Sequence, residues 1–546
     1  MIDNEELRSA GDQLRTAWNN YIYAFSGLRN HHNQGNAPGF PPELSHQLDT
    51  ELAFISSYEP KIQWIKATIS HARNYSSGLA PINTLPPEIL ARIFHLVLAQ
   101  PCEASSLRFG EKTSYLKQLD NVTQVCHLWR RTAISSCSIW SHIDLSPAKR
   151  TCDKLIARAK LHVARAGVVP IKLHVGENEF YDPETAYHAY HDGLHTLLSP
   201  IYNRVEALEV DTDAFENFQR TLFRNLFSHE DSILTKLALR CVTYHPNNAI
   251  VATGTRFDDT AIDQGLMEFE LDLAHNELER GFARLTTLHL RGVFPLWSSK
   301  AYHGLVDLRL LSTDRWSRIS ETGFITVLKS SPGLRILHFG LQVDSPTPVA
   351  VEVTPVHLQD LQVVRIFPEN DEEESICPST ILRLLAPGTK PLCLSFDGRY
   401  QPNDTLLVEL EKFFSRSRVA RFYNRAVTPP ISTLLRHAGN LEVVSLHDFV
   451  SSTHVQVPRA WLEVDGLASL PPLKSLHISK SIPYERELQM FLKCCPTGTV
   501  LYDCTVQRDD GTGWLNPAEL SRIFPSVKIT NTPLYQDPTE YWGILD

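Results

Sequence analysis

A short pattern of alternating leucines recurs through the last two thirds of the chain and most constrains how it can fold. The clearest copies resemble Leu-x-x-Leu-x-Leu and occupy residues 204–210, 234–239, 285–290, 305–310, 334–339, 441–446 and 473–478. Alternation over six residues indicates a strand, and the stretches between copies have helical spacing. One strand and one helix cannot bury their apolar faces alone, so successive units are expected to stack around one continuous core.

The spacing of the copies is similar to that of leucine-rich repeats. Aligned leucines at 288, 308, 337 and 361 follow one another at close to the about 20–29 residues of such repeats, but irregularly. The asparagine of a regular repeat is missing from nearly every unit, which indicates a degenerate array. We therefore expect an α/β fold in which residues 147–546 form an irregular leucine-rich-repeat solenoid with a parallel sheet on its concave side.

Helices are predicted between several of these strands. The helical stretches are Phe324–Lys329, Ile381–Leu385, Ile431–His437 and Glu485–Lys493. Residues Tyr244–Gly265 are expected to form an inserted loop, followed by a helix at Leu266–Leu278. The aromatic tail at Thr532–Asp546 is expected to cap the last repeat, and the alternative is that it reaches into the concave face.

Residues 1–78 carry two stripes of apolar residues with a seven-residue period, which predicts two helices. The stripes consist of Leu7, Leu14, Tyr21 and Leu28, and of Leu48, Ile55, Ile62 and Ile69. A gap rich in turn formers, His31 to Pro42, separates them and predicts a helical hairpin. Pro60 is expected to kink or interrupt the second helix. Two interpretations stay open: self-association as a coiled coil, or a hairpin that buries its own stripe or docks on the next domain.

Composition excludes several broad classes of function. The chain has 52 Lys and Arg against 62 Asp and Glu, a net charge of −10, which does not fit a general nucleic-acid binder or a polybasic membrane binder. No apolar run is long enough for a membrane helix, and the acidic N-terminus is unlike a secretory signal. The scattered cysteines are expected to be reduced thiols, so we predict a cytoplasmic or nuclear protein.

Residues 79–146 form a compact block that is predicted to be helical. Asn83 or Thr84 can cap a helix that opens with Pro86-Pro87-Glu88. Apolar residues then recur at helical spacing, a second apolar set follows the loop Gln100–Lys112, and a third cluster closes the block. These sets are Ile89, Leu90, Ile93, Phe94 and Val97, then Leu119, Val122, Val125, Cys126, Trp129 and Ala133, then Ile139, Trp140 and Ile143.

This block resembles the F-box, in the form common in mushroom-forming basidiomycete fungi. The matching stretches are PINTLPPEILARIF at 81–94, VTQVCHLWRRTA at 122–133 and IWSHI at 139–143. A proline-led helix alone would be a weak signal. Its combination with Val-Cys-x-x-Trp and Trp-Ser-x-Ile, in the right order, is much more specific.

The resemblance implies a trihelical adaptor that binds Skp1 and, through it, a cullin, a RING subunit and a ubiquitin-charged E2. Its first helix carries more apolar side chains than a block of this size can hide. The expected Skp1-binding residues are Leu85, Pro86, Glu88, Ile89, Leu90, Ile93, Phe94, Val125 and Trp129.

These apolar residues divide between partner and core in the following way. The residues expected to contact Skp1 are Leu85, Pro86, Leu90 and Phe94. Those that are at least as compatible with the core are Val125, Trp129, Ala133 and Trp140. The block departs from the family at His127 and Leu128, where the family is usually more basic, and in its long first loop. Neither departure removes the apolar anchors, so binding is expected to survive.

No sequence motif indicates catalysis, a metal site or a cofactor. Signatures of hydrolases, P-loop proteins, zinc proteases and kinases are absent from the sequence. The histidines at 188, 191 and 195 share a helical face, but no further donor completes a metal set. We therefore expect no enzyme activity, no resident metal and no cofactor.

The predicted function is substrate recognition in an SCF-type ubiquitin ligase. The alternative is a Skp1-binding interaction protein that acts outside a ligase. Neither nucleic acid nor membrane is an expected partner. The protein substrate is unknown, and the best candidates for contacting it are polar residues in or just after the strands, namely His289, Arg291, Arg309, His338 and His447.

Overall fold

The computed structural model describes most of the chain. The described residues are 4–32, 42–74, 80–98, 114–146, 149–176, 188–212, 217–241, 247–255, 266–313, 317–344, 346–348, 351, 353–367, 378–398, 403–425, 434, 436–437, 439–448, 473–495, 498–511 and 513–530. The chain divides into two compact units, Met1–Leu90 with Gln124–Arg130, and Ala91–Thr123 with Arg131–Asp546. The three-domain division at 78/79 and 146/147 stays a prediction.

The first unit contains the two long helices that the seven-residue stripes predict. Helix α1 spans Asn4–His32 and α2 spans Pro42–Asn74. Pro60 does not interrupt α2, which continues through this residue, so that part of the prediction was wrong; the kink stays a prediction. Proline removes one backbone donor, but a helix of 33 residues keeps enough hydrogen bonds on either side to run on.

Much of the apolar stripe on these two helices faces solvent. Leu7, Leu14, Ile55 and Ile69 are exposed, and α2 contains no buried residue among those that the structure describes. A hydrogen bond of 2.6 Å from the Tyr21 hydroxyl to Glu51 connects the two helices. The hairpin therefore leaves these stripe residues uncovered. They are therefore not buried within the hairpin itself, and self-association and docking on the next domain both stay predictions.

The second unit is built from short strands with helices between them. The strands are β1 His142–Leu145, β2 Ile171–Gly176, β3 Val205–Thr212, β4 Lys236–Cys241, β5 Asn247–Ala252, β6 Leu266–Leu271, β7 Thr287–Arg291, β8 Phe294–Pro295, β9 Asp307–Leu311, β10 Arg318–Ser320, β11 Ile336–Gly340, β12 Gln342–Asp344, β13 Val356–Leu358, β14 Val363–Ile366, β15 Leu385–Pro387, β16 Leu392–Phe396, β17 Val419–Arg425, β18 Val443–His447, β19 Leu476–Ser479, β20 Thr499–Tyr502 and β21 Lys528–Thr530. The predicted α/β class is confirmed.

Helices follow many of these strands. They continue the numbering of α1 and α2: α3 Pro87–Leu98, α4 Ser114–Gln124, α5 His127–Ser135, α6 Lys149–Ala166, α7 His188–Leu198, α8 Asn217–Ser228, α9 His275–Phe282, α10 Glu321–Ser330, α11 Pro378–Leu382, α12 Asp404–Arg416, α13 Glu485–Cys494 and α14 Pro517–Ile523. Within the described part of the chain, short 3₁₀ turns at Pro81–Thr84, Cys137–Trp140, Ser199–Arg204 and Lys300–Tyr302 connect the longer elements.

Fourteen strands form one large parallel sheet, and their order in it follows chain order without exception. The order runs β1-β2-β3-β4-β7-β9-β11-β14-β16-β17-β18-β19-β20-β21, and every neighbouring pair is parallel. The other strands form small parallel sheets: β5 with β6 and β8, β10 with β12, and β13 with β15. The predicted parallel sheet is present, and a leucine-rich-repeat solenoid stays a prediction.

Alternation along each strand gives the large sheet an apolar and a polar face. The apolar face is a registered row of buried side chains: Leu145, Val175, Val210, Leu239, Leu290, Leu310, Phe339, Ile366, Phe396, Leu446, Ile478 and Leu501, broken by buried Asn424. The apolar members of this row belong to the main hydrophobic core. Side chains one residue earlier point to the opposite face.

Two of the local predictions were wrong. Leu266–Leu278 is not one helix, because Leu266–Leu271 is strand β6 and the helix α9 begins at His275. The expected loop at 244–265 contains strand β5. The stretch Leu-Met-Glu-Phe-Glu-Leu alternates with a period of two, and β5 supplies the parallel partner that the sequence did not reveal.

Other predictions hold or lie outside the described residues. Helices α10 and α13 confirm the helical stretches at 324–329 and 485–493. The helix predicted at Ile381–Leu385 is only partly right, because α11 spans Pro378–Leu382 and Leu385 begins strand β15. The loop at 100–112, most of 431–437 and the tail at 532–546 lie outside the described residues. Among the helices that the structure describes, none has the length and apolar character needed to cross a membrane.

Candidate functional site

The block at 80–98 and 114–146 begins with a proline-led helix. The 3₁₀ turn Pro81–Thr84 precedes α3, which starts at Pro87. Proline suits the first helical position because its missing N–H needs no partner there, and Glu88 in the first turn favours the helix dipole. The side chains of Leu90, Phe94 and Leu98 follow at intervals of four residues and are all buried.

The exposure of the side chains on α3 changes which of them we assign to the core and which to a partner. Leu90 and Phe94 were expected to lean toward the partner, but both are 0% exposed. They therefore belong to the core of this chain. The spacing of four residues puts them on one helix face, and only the tertiary structure shows that this face is the inner one.

The opposite side of α3 presents apolar residues to solvent. On the helix, Ile89 is 48% exposed, Glu88 is exposed and Ile93 is half-buried; just before it, Pro86 is exposed and Leu85 is half-buried. Exposed apolar side chains next to one another commonly mark a binding surface. This is the side of α3 that is available to a partner.

Asn83 connects the beginning of the block to its later part. The indole Nε1 of Trp129 donates to Asn83 Oδ1 at 2.8 Å, and Asn83 Nδ2 donates to the carbonyl of Asn74 at 2.7 Å. One amide therefore holds the 3₁₀ turn to both the last residue of α2 and the first turns of α5. A side chain that donates and accepts at once is well suited to such a junction.

The second apolar set folds as two helices, α4 and α5, with a break at Val125 and Cys126. With α3, these are three helices, as the resemblance implies. Val125 lies in the break and is 57% exposed, so it is not part of the core. Trp129 is half-buried, and Ala133 and Trp140 are buried in the core.

The third apolar cluster joins the block to the sheet. After the 3₁₀ turn Cys137–Trp140, residues His142–Leu145 form β1, which pairs with β2. The buried indole of Trp140 donates to the carbonyl of Ala133 at 2.7 Å, and the Arg165 guanidinium lies 4.2 Å from its ring centroid. The end of the block is thus the first strand of the large sheet.

Polar contacts support the same junction. Arg158 on α6 pairs with Asp120 on α4, with 2.7 Å between Nη2 and Oδ1. The Tyr115 hydroxyl, also on α4, donates to the carbonyl of Ile139. Helix α4 is therefore tied both to the 3₁₀ turn before β1 and to the helix after it.

His95 on α3 reaches the same 3₁₀ turn. Its Nε2 atom lies 2.9 Å from the Ser138 hydroxyl. Burial lowers the pKa of His95, and the positive charges of Arg92 and Lys172 lower it further. The neutral ring is thus favoured at this contact.

The sequence analysis missed one cluster of titratable residues. His142 and Asp144 on β1 and His174 on β2 lie close together and are buried. Burial and the proximity of His142 lower the pKa of His174 to about 3, so its ring is neutral at physiological pH. The available signal was the His-x-Asp alternation in one strand with a histidine inside the next, but their pairing is visible only in the sheet.

Comparison with known proteins addresses only this block. Residues 82–146 match the F-box-like family model. None of the curated proteins matches the chain. The basidiomycete type and the leucine-rich repeats stay predictions. The match and the helices α3, α4 and α5 agree, and residues 82–146 are therefore an F-box-like domain.

Proposed function

We propose that the chain is the substrate-recognition subunit of an SCF-type ubiquitin ligase in the cytoplasm or nucleus. The observation that carries this proposal is the F-box-like domain at residues 82–146, whose first helix exposes apolar side chains. The domain binds Skp1, and Skp1 connects it to a cullin, a RING subunit and an E2. The chain itself then acts as an adaptor and not as an enzyme.

The proposed Skp1 contacts are those predicted residues that solvent can reach. Leu90 and Phe94 are not among them, because both are 0% exposed and belong to the core of this chain. Burying exposed apolar side chains against a partner groove would supply the hydrophobic part of the binding free energy. The exposed contacts are Pro86, Glu88, Ile89 and Val125, and the half-buried ones are Leu85, Ile93 and Trp129.

The proposed substrate surface is the polar face of the large sheet, which we interpret as the face of a degenerate leucine-rich-repeat array. His289, Arg309 and His338 are direct register partners on β7, β9 and β11. Asp307 holds the first two, with its carboxylate 3.0 Å from His289 Nε2 and 2.8 Å from Arg309 Nη2. A substrate would therefore meet side chains that are already fixed in place.

The five candidates differ in how far a substrate can reach them. Arg291 and His447 lie two residues beyond this row on their strands and are half-buried. His338 is only 7% exposed, so its part is to support the row rather than to offer surface. The accessible part of the proposed surface is accordingly His289, Arg309, Arg291 and His447.

Such an adaptor accelerates ubiquitin transfer by proximity. Holding a substrate and the E2 in one assembly raises the effective concentration of the substrate lysine near the charged E2. No catalytic group of this chain is required. A Skp1-binding protein that never recruits a cullin would have the same F-box-like domain and is the alternative.

The first experiment measures binding of the full chain to purified Skp1. Ile89→Glu places a charge on the proposed surface, and we expect Skp1 affinity to fall at least about tenfold, or about 1.4 kcal/mol. Ile233→Glu is the matched control, because Ile233 is 40% exposed and lies outside the domain. A combined Leu85→Ala and Pro86→Ala variant tests the neighbouring contacts and should lose Skp1 while keeping its fold.

The second arm of this experiment adds cullin-1 and the RING subunit. Recruitment of cullin-1 by the wild type, but not by Ile89→Glu, supports the ligase proposal. Skp1 binding without cullin-1 favours the alternative. If Ile89→Glu binds Skp1 as tightly as the wild type and Ile233→Glu do, the proposed docking surface is wrong.

A further inference from the structure

Three potential metal ligands converge at the first edge of the large sheet. His142 and Asp144 are two residues apart on β1 and therefore lie on the same face. His174 is the direct register partner of Asp144 on β2. Asp144 Oδ1 lies 2.9 Å from His142 Nε2 and 3.9 Å from His174 Nδ1, and the three ligand atoms lie within 4.8 Å of one another.

These distances fit a tetrahedral ion. Ligand atoms bound to zinc at about 2.0–2.1 Å in tetrahedral geometry are about 3.3 Å apart. The two distances at Asp144, 2.9 and 3.9 Å, lie on either side of that value. The two histidine nitrogens lie within 4.8 Å of each other, so the imidazole rings must move closer together for all three atoms to reach bonding distance.

Burial gives the second and independent observation. His142, Asp144 and His174 are 5%, 4% and 8% exposed. Within the described part of the chain, the buried Nδ1 atom of His174 has no hydrogen-bond partner. Buried polar atoms are almost always satisfied, so this nitrogen needs a partner that the protein groups around it do not supply. It is directed toward Asp144, as its 3.9 Å distance to the carboxylate shows.

A carboxylate lies at the other ring nitrogen of His174, and an aromatic ring lies against His142. Glu209 is the register partner of His174 on β3, and its Oε2 atom lies 3.5 Å from His174 Nε2. A carboxylate at that nitrogen favours a proton on Nε2 and leaves Nδ1 able to coordinate. The ring of Tyr115 stacks on His142, with 4.2 Å between the ring centroids.

We propose that His142, Asp144 and His174 bind one zinc ion, with water as the fourth ligand. Two imidazoles and one carboxylate suit zinc, whereas magnesium and calcium prefer six or more oxygen ligands. The ion fastens the last strand of the F-box-like domain to β2. It would stabilise the junction through which the domain continues into the sheet.

The competing account is a metal-free hydrogen bond between His142 and Asp144. The two accounts differ in what a purified full chain does with zinc after treatment with a chelator. We expect one zinc ion per chain, and a rise in melting temperature when zinc is restored. Asp144→Asn and His174→Gln should each weaken zinc binding at least about 100-fold, because each removes a direct ligand.

A matched control and a spectroscopic test keep the experiment decisive. His338→Gln removes another buried histidine from the same face of the sheet and should retain the zinc. The variant His142→Cys keeps a metal donor at the site. With cobalt in place of zinc, it should show a thiolate-to-cobalt absorption band that the wild type lacks, because the band arises only if residue 142 touches the metal.

Three outcomes would overturn the proposal. One is a folded wild type that takes up no zinc, and this result does not depend on whether the variants fold. Another is unchanged zinc binding by both Asp144→Asn and His174→Gln. The third is loss of zinc in a His188→Gln/His191→Gln variant instead, which would assign the metal to those histidines.

Discussion

At the scale of single residues, Asn83 joins three parts of the chain through one side chain. Its amide accepts from the Trp129 indole and donates to the carbonyl of Asn74. A carboxylate at this position could not donate, and an alkyl group could do neither. Both hydrogen bonds therefore depend on an amide of this length.

We predict that Asn83→Ala lowers the free energy of unfolding by about 1–3 kcal/mol, because it removes the acceptor of the indole N–H. Trp129→Phe keeps a ring but removes that N–H. In a double-mutant cycle measured by urea denaturation, the two changes should be less than additive by about 0.5–1.5 kcal/mol. Fully additive effects would show that the hydrogen bond contributes nothing.

His338 provides a prediction about pH. Burial lowers the pKa of this histidine well below its ordinary value, and the charges of Arg309 and Arg365 lower it further, against a smaller opposing effect of Asp307. His289 also lowers the pKa of His338, and burial lowers the pKa of His289 itself. As pH falls, His338 therefore becomes protonated in the unfolded state before it does so in the folded state.

The direction of the pH effect follows from this difference. Because the folded pKa is depressed, the contribution to stability is fully present above the unfolded pKa of about 6.5 and is lost as pH falls below it. Between pH 7.5 and pH 5.5, His338→Gln should reduce the loss of unfolding free energy by about 1 kcal/mol relative to the wild type. Exposed His275→Gln is measured in parallel as a control for the substitution itself.

At the scale of elements, Gly292 shows how a turn after a strand limits substitution. It follows β7 with φ of +73°, and a Cβ atom there would lie 2.4 Å from the carbonyl oxygen of Cys241. Gly254 has nearly the same φ, +75°, but a Cβ atom would meet nothing within 4 Å. The two glycines therefore have nearly the same φ but differ in whether a Cβ atom would meet a neighbouring group.

Comparing the two glycines separates backbone strain from steric collision. We predict that Gly254→Ala costs about 1–2 kcal/mol from its left-handed backbone alone. Gly292→Ala should cost more than about 3 kcal/mol, since the carbonyl of Cys241 must also move. If Gly254→Ala and Gly292→Ala lowered the free energy of unfolding equally, in thermal or urea denaturation, the predicted steric collision at Gly292 would be wrong.

Elements with a long and regular period were predictable from the sequence. Helices α1 and α2 and many strands of the large sheet follow from local spacing, because apolar side chains recur on one side of each element. Strands β5 and β6 were missed because each is short and stabilised by the other in a separate sheet. Pairing of that kind is not a property of either segment alone.

At the scale of the whole molecule, the strands of the large sheet lie in chain order, and this order determines which regions a destabilising substitution affects. Each strand pairs with the strands before and after it in the sheet, so stability should depend mainly on neighbouring units. Leu310 on β9 is 0% exposed and Leu501 on β20 is 2% exposed. The two sites lie in the same apolar row but far apart in strand order.

We predict that Leu310→Ala and Leu501→Ala each lower the free energy of unfolding by about 2–5 kcal/mol, but that each destabilises a different group of strands. Amide hydrogen exchange should accelerate in β7, β9 and β11 for Leu310→Ala. For Leu501→Ala it should accelerate in β19, β20 and β21. A uniform increase across all described strands in both variants would show that the sheet unfolds as one unit.

The F-box-like domain and the recurring strands follow from the order of residues alone, because both depend on short-range spacing. The inner side of α3, with Leu90 and Phe94, was decided only by packing, since a helical stripe does not show what covers it. The cluster of His142, Asp144 and His174 was likewise decided by the register of β1 against β2. Register depends on two segments at once, and its physical origin is the shared burial of apolar side chains such as those at 145 and 175 on one face of the sheet.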